Sequence, residues 1–265
     1  MMANCTPGVL RVFRLFENKS NKPDEVVIRE IKKTLFREVK QDRRVAMFMM
    51  LHVLLRSPKH VVEKITSPLR ILLQHKIVDP NALTSPPPPH KDAEQGSTAL
   101  HCLAEAAMDL ENMENQVLLG QQLLDAGADV NARAGKALYC HTPLHVACMS
   151  SYTTNLDFIK LLLDNGADPN AQSTLGETPL MYTMNAAPGA CKFVVEYKGK
   201  GQIKPDLNIR NKKGETILSK VKKGIDGMVQ FNLLIAPKDR MAATKLLVQQ
   251  LEELQGILLE RNATF

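Results

Sequence analysis

The chain has 265 residues, a formal net charge of +6, 44% hydrophobic residues, 5% aromatic residues and no tryptophan. This length supports one or two domains with a substantial core. A membrane span of roughly 18 apolar residues is not expected, since the nearest candidate, residues 45–55, is short and contains His52. Arg11 and Arg14 interrupt the only apolar run near the start, which argues against a signal peptide. Five scattered cysteines favour a reducing intracellular compartment, cytoplasm or nucleus, over a disulfide framework.

Residues 1–44 are expected to form a basic helical extension. Val27, Ile31 and Leu35 recur at four-residue steps, which is the apolar stripe of an amphipathic helix. The opposite face is basic and carries Arg29, Lys32, Lys33, Arg37 and Lys40. We interpret it as a solvated face over a core stripe. The alternative is a helix that binds nucleic acid or an anionic membrane.

Residues 45–81 are expected to form a degenerate helical pair. The helix at 45–56 is rich in methionine and leucine, and we interpret its stripe as core rather than as an adaptable binding groove. Asp79-Pro80-Asn81 repeats a tripeptide found again at 168–170. Residues 85–95 begin with a run of prolines and are expected to form a stiff loop, with a groove-binding polyproline segment as the alternative.

Residues 142–170 form the clearest copy of a helix–turn–helix unit. Thr142 suits the cap of a first helix, and Pro143 suits its first position, where no N–H is needed. A strongly apolar second helix follows over residues 158–163. Gly166 is suited to end that helix in the left-handed conformation.

The same unit recurs before and after this copy, and the recurrence decides the fold prediction. The related segments are Gly96-Ser97-Thr98-Ala99-Leu100-His101 with 123–131, Gly176-Glu177-Thr178-Pro179-Leu180-Met181 with 206–208, and Gly214-Glu215-Thr216-Ile217-Leu218. Thr-Pro-Leu-His followed by Leu-Leu-x-x-Gly-Ala-Asp-x-Asn resembles the ankyrin repeat, over about residues 96–235. The resemblance implies an all-α solenoid of stacked helix–turn–helix repeats with hairpin loops.

Three regions are therefore predicted. A basic helical extension covers 1–44, an array of about four to five repeats covers 45–235, and a capping helix covers 236–265. The fifth repeat is expected to be interrupted over 224–237, before a last helix at about 238–260. Its leucines step by four, three and four residues, at Leu247, Leu251, Leu254 and Leu258. This seam is too short to predict oligomerisation, so we expect a cap and a monomer.

Charge is distributed unevenly along the chain. Residues 92–131 contain eight acidic and no basic residues, so their net charge is −8. Residues 198–223 contain nine basic and two acidic residues, so theirs is +7. Together with the enlarged basic loop before Thr142, this predicts a partner with an acidic surface, steered by electrostatic attraction.

By the ankyrin resemblance, we expect a non-catalytic protein-interaction scaffold or adaptor that binds its partner on a concave face of hairpin tips and first helices. The implied contacts are Arg133, Lys136, Tyr139, His141, Met149, Ser150, Gln172, Thr174, Leu175, Glu177, Asn185, Ala186, Arg210, Lys212, Lys213 and Glu215. They mix polar, aromatic and apolar character, as interface patches do. The alternative is binding of nucleic acid or anionic lipid through the basic ends, against which the few aromatic residues and the lack of a reading motif argue.

No cofactor or metal is expected. Cys140, His141, His145 and Cys148 are residue types that bind zinc. However, His145 is the signature histidine of the repeat, and Cys148 fills a small-residue position at a helix contact. We therefore interpret these two as structural.

Other chemical motifs are weak as well. Gly135-Lys136 lacks both the upstream glycine and the following hydroxyl residue of a phosphate loop. Asp129 and Asp168 lie in helix-exit loops, where a carboxylate is expected to accept hydrogen bonds from turn amides. An enzyme is therefore not predicted.

Overall fold

The structure is a computed structural model of the whole chain. It describes residues 73, 79–81, 96–105, 110–149, 155–183, 188–199, 203–234 and 241–263. The helices predicted within residues 1–56, with the basic face proposed for nucleic acid or lipid, lie outside these residues. So do the proline-rich loop at 85–95 and the predicted contacts Ser150, Asn185 and Ala186.

The chain divides into two compact units, residues 1–137 and 138–265. The first contains α1 (Ala99–Glu105), which packs against α2 (Leu110–Asp125). A 3-10 turn, Lys136–Leu138, lies at the division. The second contains α3 (Pro143–Met149), α4 (Leu156–Asp164), α5 (Pro179–Thr183), α6 (Pro188–Glu196), α7 (Ile217–Leu234) and α8 (Met241–Glu260). The described residues form helices and no strands, which confirms the all-α prediction. None of these described helices is both long and apolar enough to cross a membrane.

The local signals in the unit at 142–170 act as predicted. Pro143 is the first residue of α3, and the Thr142 hydroxyl accepts a hydrogen bond from the His145 N–H at 3.4 Å. Gly166 follows α4 with φ +85, the left-handed conformation that a glycine adopts without a steric penalty. The local sequence therefore sets both ends of this helical pair.

The cores of the three repeats in the second unit are built from equivalent leucines. Leu144, Leu180 and Leu218 each lie two residues after the capping threonine and are at most 2% exposed. Helix α3 packs against α5, and α5 packs against α7, so these leucines lie in successive first helices that are in contact. Full burial stabilises the fold by about 2 kcal/mol for each leucine.

The helix-exit turns share one hydrogen-bonding arrangement. The carboxylate of Asp129 accepts from the amide of Asn131 at 2.9 Å, and that of Asp168 accepts from the amide of Asn170 at 2.8 Å. This confirms the structural role predicted for both aspartates. Asp79 and Asp206 make the same contact with Asn81 and Asn208.

The turn asparagines also connect one repeat to the next. The Asn81 side chain donates to the carbonyl of Gly127 at 2.9 Å and accepts from the amide of Asp129 at 2.7 Å. The Asn170 side chain does the same in the second unit: it donates to the carbonyl of Lys204 at 2.9 Å and accepts from the amide of Asp206 at 2.7 Å. Each asparagine therefore satisfies a donor and an acceptor of the following turn.

The interruption predicted over residues 224–237 is wrong for the described part of that segment. Helix α7 runs without a break from Ile217 to Leu234. Gly224 lies inside it, and a Cβ there would lie 3.8 Å from a methyl group of Leu251. A glycine within a helix costs about 1 kcal/mol, which the packing of α7 along α8 outweighs. Local propensity gave the wrong result because the stabilising contacts come from a helix later in the chain.

The last helix, α8, has the buried face that the leucine spacing predicts. Leu251, Leu254 and Leu258 are at most 1% exposed, whereas Leu247 is half-buried. Helix α8 packs against both α7 and α6. Leu251, Leu254 and Leu258 are therefore buried within the chain, and the role of α8 as a capping helix stays a prediction.

Candidate protein-binding face

Three hairpins of the second unit lie side by side. We name them the Tyr139 hairpin (residues 138–142), the Leu175 hairpin (172–178) and the Lys212 hairpin (210–216). The amide of Thr174 donates to the carbonyl of Tyr139 at 2.8 Å. The amide of Lys212 donates to the carbonyl of Leu175 at 3.0 Å. These two bonds join the tips, and together with the first helices α3, α5 and α7 the three hairpins make up what we name the hairpin face.

Gly176 allows the Leu175 and Lys212 hairpins to approach closely. Its φ is +74, and a Cβ added there would lie 2.9 Å from the amide nitrogen of Lys212. Gly214, at the equivalent position of the next hairpin, has φ +76 but open space around the same added atom. The close approach is therefore specific to Gly176.

Two predicted contact residues stabilise the hairpins themselves. The Gln172 side chain donates to the carbonyl of Gly176 at 2.8 Å, and the Arg210 guanidinium donates to the carbonyl of Gly214 at 2.8 Å. Gln172 also reaches the carbonyl of Arg210 in the neighbouring hairpin, at 3.2 Å. The polar groups of both residues thus help to hold the hairpins in shape.

The Tyr139 hairpin adopts an unusual backbone conformation. Cys140 lies two residues before the capping threonine, where the other two hairpins have Gly176 and Gly214. Its φ is +52 and that of Tyr139 is +56, so two residues with side chains occupy the left-handed region. This conformation costs roughly 1 kcal/mol for each such residue. In this hairpin, the side chain of Tyr139 is 48% exposed.

A cluster of rings lies beneath Tyr139. His141 is only 6% exposed, and its ring stacks on that of His145 with centroids 5.4 Å apart. Its Nε2 lies 2.8 Å from the hydroxyl of Tyr182, whose ring meets the imidazole edge-on. The ring of Tyr139 lies 5.7 Å from that of His141. His141 was predicted as a surface contact, but its burial suits it to supporting Tyr139 from below.

Burial also affects the chemistry of this cluster. It lowers the pKa of His141, and the nearby Glu177 carboxylate opposes the shift without cancelling it. His145 has both ring nitrogens hydrogen-bonded, one to the Thr142 hydroxyl at 2.8 Å and the other to the Glu177 carbonyl at 3.1 Å. Cys148 is fully buried, and burial raises the pKa of its thiol. His145 and Cys148 are therefore core residues, as their positions in the repeat predict.

Two ion pairs connect the Leu175 and Lys212 hairpins to α7. Lys220 lies 2.5 Å from Glu177, with side chains 18% and 14% exposed. Lys223 pairs with Glu215, and the Lys223 side chain is 68% exposed. The Asn211 amide donates to Glu177 at 3.3 Å and to Glu215 at 2.9 Å. The hydrogen bonds from Lys223 and Asn211 lower the pKa of the Glu215 carboxyl group.

The hairpin face brings together most of the predicted contacts. Met149 and Leu175 are 40% and 45% exposed, and Lys212 and Lys213 are exposed at the tip of the last hairpin. Thr174 is half-buried. Arg133 and Lys136 are exposed but belong to the first unit, so they are not part of this face.

Sequence reasoning missed three residues of the face, namely Tyr182, Lys220 and Lys223. Tyr182 and Lys220 lie four residues after their capping threonines, Thr178 and Thr216. Lys223 lies seven residues after Thr216, as the predicted contact Met149 lies seven residues after Thr142. Aligning the first helices on these threonines places Lys223 at the position of Met149 and would have identified it, whereas no predicted contact lies four residues after Thr142, so the alignment gives no signal for Tyr182 and Lys220.

Comparison with known proteins gives a family match over much of the chain. A family model described as "Ankyrin repeats (3 copies)" matches residues 66–173, 105–211 and 144–231. These matches run together from residue 66 to residue 231, which is more than half of the 265 residues.

Individual relatives are similar over shorter stretches. Ankyrin repeat and SOCS box protein 16 of Mus musculus is 34% identical over 96 residues, and NF-kappa-B inhibitor zeta of Homo sapiens is 38% identical over 91 residues. These stretches cover 36% and 34% of this chain but only 20% and 12% of the two relatives. Putative ankyrin repeat protein R664 of Acanthamoeba polyphaga mimivirus is 30% identical over 141 residues, which are 45% of this chain and 86% of that relative.

Proposed function

We propose that this chain, which belongs to the ankyrin-repeat family, binds another protein through the hairpin face of its second unit and catalyses no reaction. Ankyrin repeats generally mediate protein–protein interaction, and proteins of this family are typically non-catalytic. The observation that supports the proposal best is the row of three joined hairpins, which holds large exposed side chains on a shared backbone support. Tyr139, Leu175 and Lys212 are the residues at its tips.

The partner surface is proposed to be acidic. Residues 203–223 contain seven basic and two acidic residues, and Lys212 and Lys213 are exposed at the hairpin tip. Such a surface attracts an acidic partner, speeds the encounter and loses this advantage as salt is added. Pairing between Lys223 and Glu215 reduces the positive charge but leaves the tip basic.

The compartment and the oligomeric state are proposals of the same kind. The four cysteines that the structure describes, Cys102, Cys140, Cys148 and Cys191, are all free thiols. Free thiols are typical of a reducing environment, which supports an intracellular protein. Leu251, Leu254 and Leu258 of α8 are buried within the chain, which supports a monomer.

Capture of the partner by the full-length chain tests this function. We expect the variant Lys212→Glu with Lys213→Glu to retain much less partner than the wild type, because two attractive charges become repulsive. The matched control is Lys198→Glu with Lys245→Glu, which makes the same charge change at exposed lysines outside the hairpin face. Equal capture by both double variants would reject the proposal.

A further inference from the structure

We infer that the hairpin face is bipartite and binds an extended partner segment that has an apolar anchor at one end and acidic residues at the other. This inference rests on the proposed function and names the chemical class of the partner. It follows from the order in which side chains change along the three joined repeats of the second unit.

The apolar end lies at the first and second of these repeats. Tyr139 and Leu175 are hairpin-tip residues that are 48% and 45% exposed, and the bond from the Thr174 amide to the Tyr139 carbonyl holds their hairpins together. Met149, at the end of α3, is 40% exposed. Large exposed side chains on adjoining elements are a feature of protein-binding surfaces. We assign the apolar anchor to this end.

The basic end lies at the third repeat. The positions four residues after the capping threonines read Val146, Tyr182 and Lys220 in succession, but Lys220 is paired with Glu177, so the positive charge available to a partner lies on other residues of this repeat. Lys212 and Lys213 add two exposed charges at the adjoining tip. The acidic half of the partner segment is assigned to this end.

The two ion pairs differ in what they leave available to a partner. Lys220 and Glu177 are largely buried and satisfy each other, so they form a neutral border between the two ends. The pair between Lys223 and Glu215 is different, because the Lys223 side chain is 68% exposed. The Glu215 side chain is only 17% exposed, so we expect the pair to persist. Because the ammonium group of Lys223 has three hydrogen-bond donors, it can bind a carboxylate of the partner while it stays paired with Glu215.

The spacing of the repeats sets the length of the segment. Helices in contact lie about 9 Å apart, so the step from α3 through α5 to α7 is about 18 Å. An extended chain advances about 3.3 Å for each residue. We therefore expect about three residues between an anchor side chain at Leu175 and the acidic block, and about five or six between one at Tyr139 and that block.

Fluorescence anisotropy with synthetic peptides tests the inference on the full-length chain. The bipartite peptide has a leucine–phenylalanine anchor, a neutral spacer of five residues and four glutamates, and is made in both chain directions. The acid-only peptide has two serines in place of the anchor, and a short-spacer peptide has one spacer residue. In whichever chain direction binds more tightly, the bipartite peptide is expected to have about tenfold higher affinity than the acid-only and short-spacer peptides.

Matched variants assign each half of the peptide to its end of the face. We expect Leu175→Ser to lower the affinity for the bipartite peptide about fivefold and to leave the affinity for the acid-only peptide unchanged. The control Leu246→Ser removes a leucine that is 58% exposed on α8, and it should change the affinity for neither peptide. The double variant Lys212→Glu with Lys213→Glu should lower the affinity for both peptides.

Three results would overturn the bipartite assignment. The first is equal affinity of the bipartite and acid-only peptides, the second is an equal effect of Leu175→Ser on both, and the third is that none of the peptides binds. In each case, loss of the cellular partner on Lys212→Glu with Lys213→Glu would still support the proposed function. Failure of the inference and failure of the function are thus separate outcomes.

Discussion

The amide of Lys212 donates to the carbonyl of Leu175 at 3.0 Å, and Gly176 lies directly beside that bond. A Cβ on Gly176 would lie 2.9 Å from the Lys212 nitrogen and 3.2 Å from the Asn211 backbone. The absence of a side chain at residue 176 therefore determines how closely two of the three hairpins approach.

Replacing Gly176 by alanine should destabilise the second unit and separate the two hairpins. The left-handed φ alone costs about 1 kcal/mol, and relief of the clash should add about 1–2 kcal/mol. Gly214→Ala is the matched control, since it has nearly the same φ but open space and should show only the first cost. Urea unfolding of both variants measures the difference. Equal loss of stability would contradict the close contact.

Replacing Cys140 by glycine should stabilise the chain. Cys140 has φ +52 at a position where Gly176 and Gly214 stand in the neighbouring repeats. Glycine removes the steric penalty of this conformation, so we expect a gain of about 1 kcal/mol in the free energy of unfolding. Cys140→Ser removes the thiol but keeps the penalty and should give no gain. If serine stabilises as much as glycine, the thiol rather than the backbone is responsible.

Stability should fall as the pH drops through the range in which His141 titrates. Burial lowers the pKa of His141 from its ordinary value of 6.5. The unfolded chain therefore takes up this proton first, so the contribution of His141 to stability is full above 6.5 and is lost as the pH falls below that value. Thermal unfolding followed from about pH 7.5 to about pH 5.5 covers this range.

The variant His141→Gln isolates this contribution, because glutamine can still bond to the Tyr182 hydroxyl but does not titrate. Its loss of stability between the two pH values should be smaller than that of the wild type. Identical pH dependence in the two proteins would show that His141 is not the group responsible.

The ion pairs Lys220–Glu177 and Lys223–Glu215 should contribute differently to the free energy of unfolding. Lys220→Met leaves the largely buried carboxylate of Glu177 without its cation, and we expect a cost of about 1–2 kcal/mol. Lys223→Met removes a side chain that is 68% exposed, and Glu215 keeps the hydrogen bond from the Asn211 side chain at 2.9 Å, so the cost should be at most about 0.5 kcal/mol. Urea unfolding compares the two variants. A larger cost at Lys223 would contradict the difference in burial.

The sequence predicted the features that depend on neighbouring residues. Thr142, Pro143 and Gly166 define the ends of helices through local backbone chemistry, and Asp168 bonds to an amide two residues away. The spacing of the leucines in α8 predicts its buried face. Such signals require no knowledge of distant contacts, and the structure confirms them.

The errors and omissions concern contacts between repeats. The unbroken course of α7 past Gly224 depends on packing against α8. The burial of His141 depends on Tyr182, which is 41 residues away in the sequence. Lys220 was missed because its partner, Glu177, lies in the preceding repeat. Each of these features is fixed only when the repeats are stacked.

Site-specific crosslinking to the purified partner tests the central claim most directly. A photoreactive benzoylphenylalanine is placed in turn at residues 175, 213 and 246, which are exposed in the wild type. We expect the partner to crosslink at 175 and 213, on the hairpin face, and not at 246, on α8. Crosslinking at 246 with none at 175 or 213 would contradict the claim that this face is the binding surface.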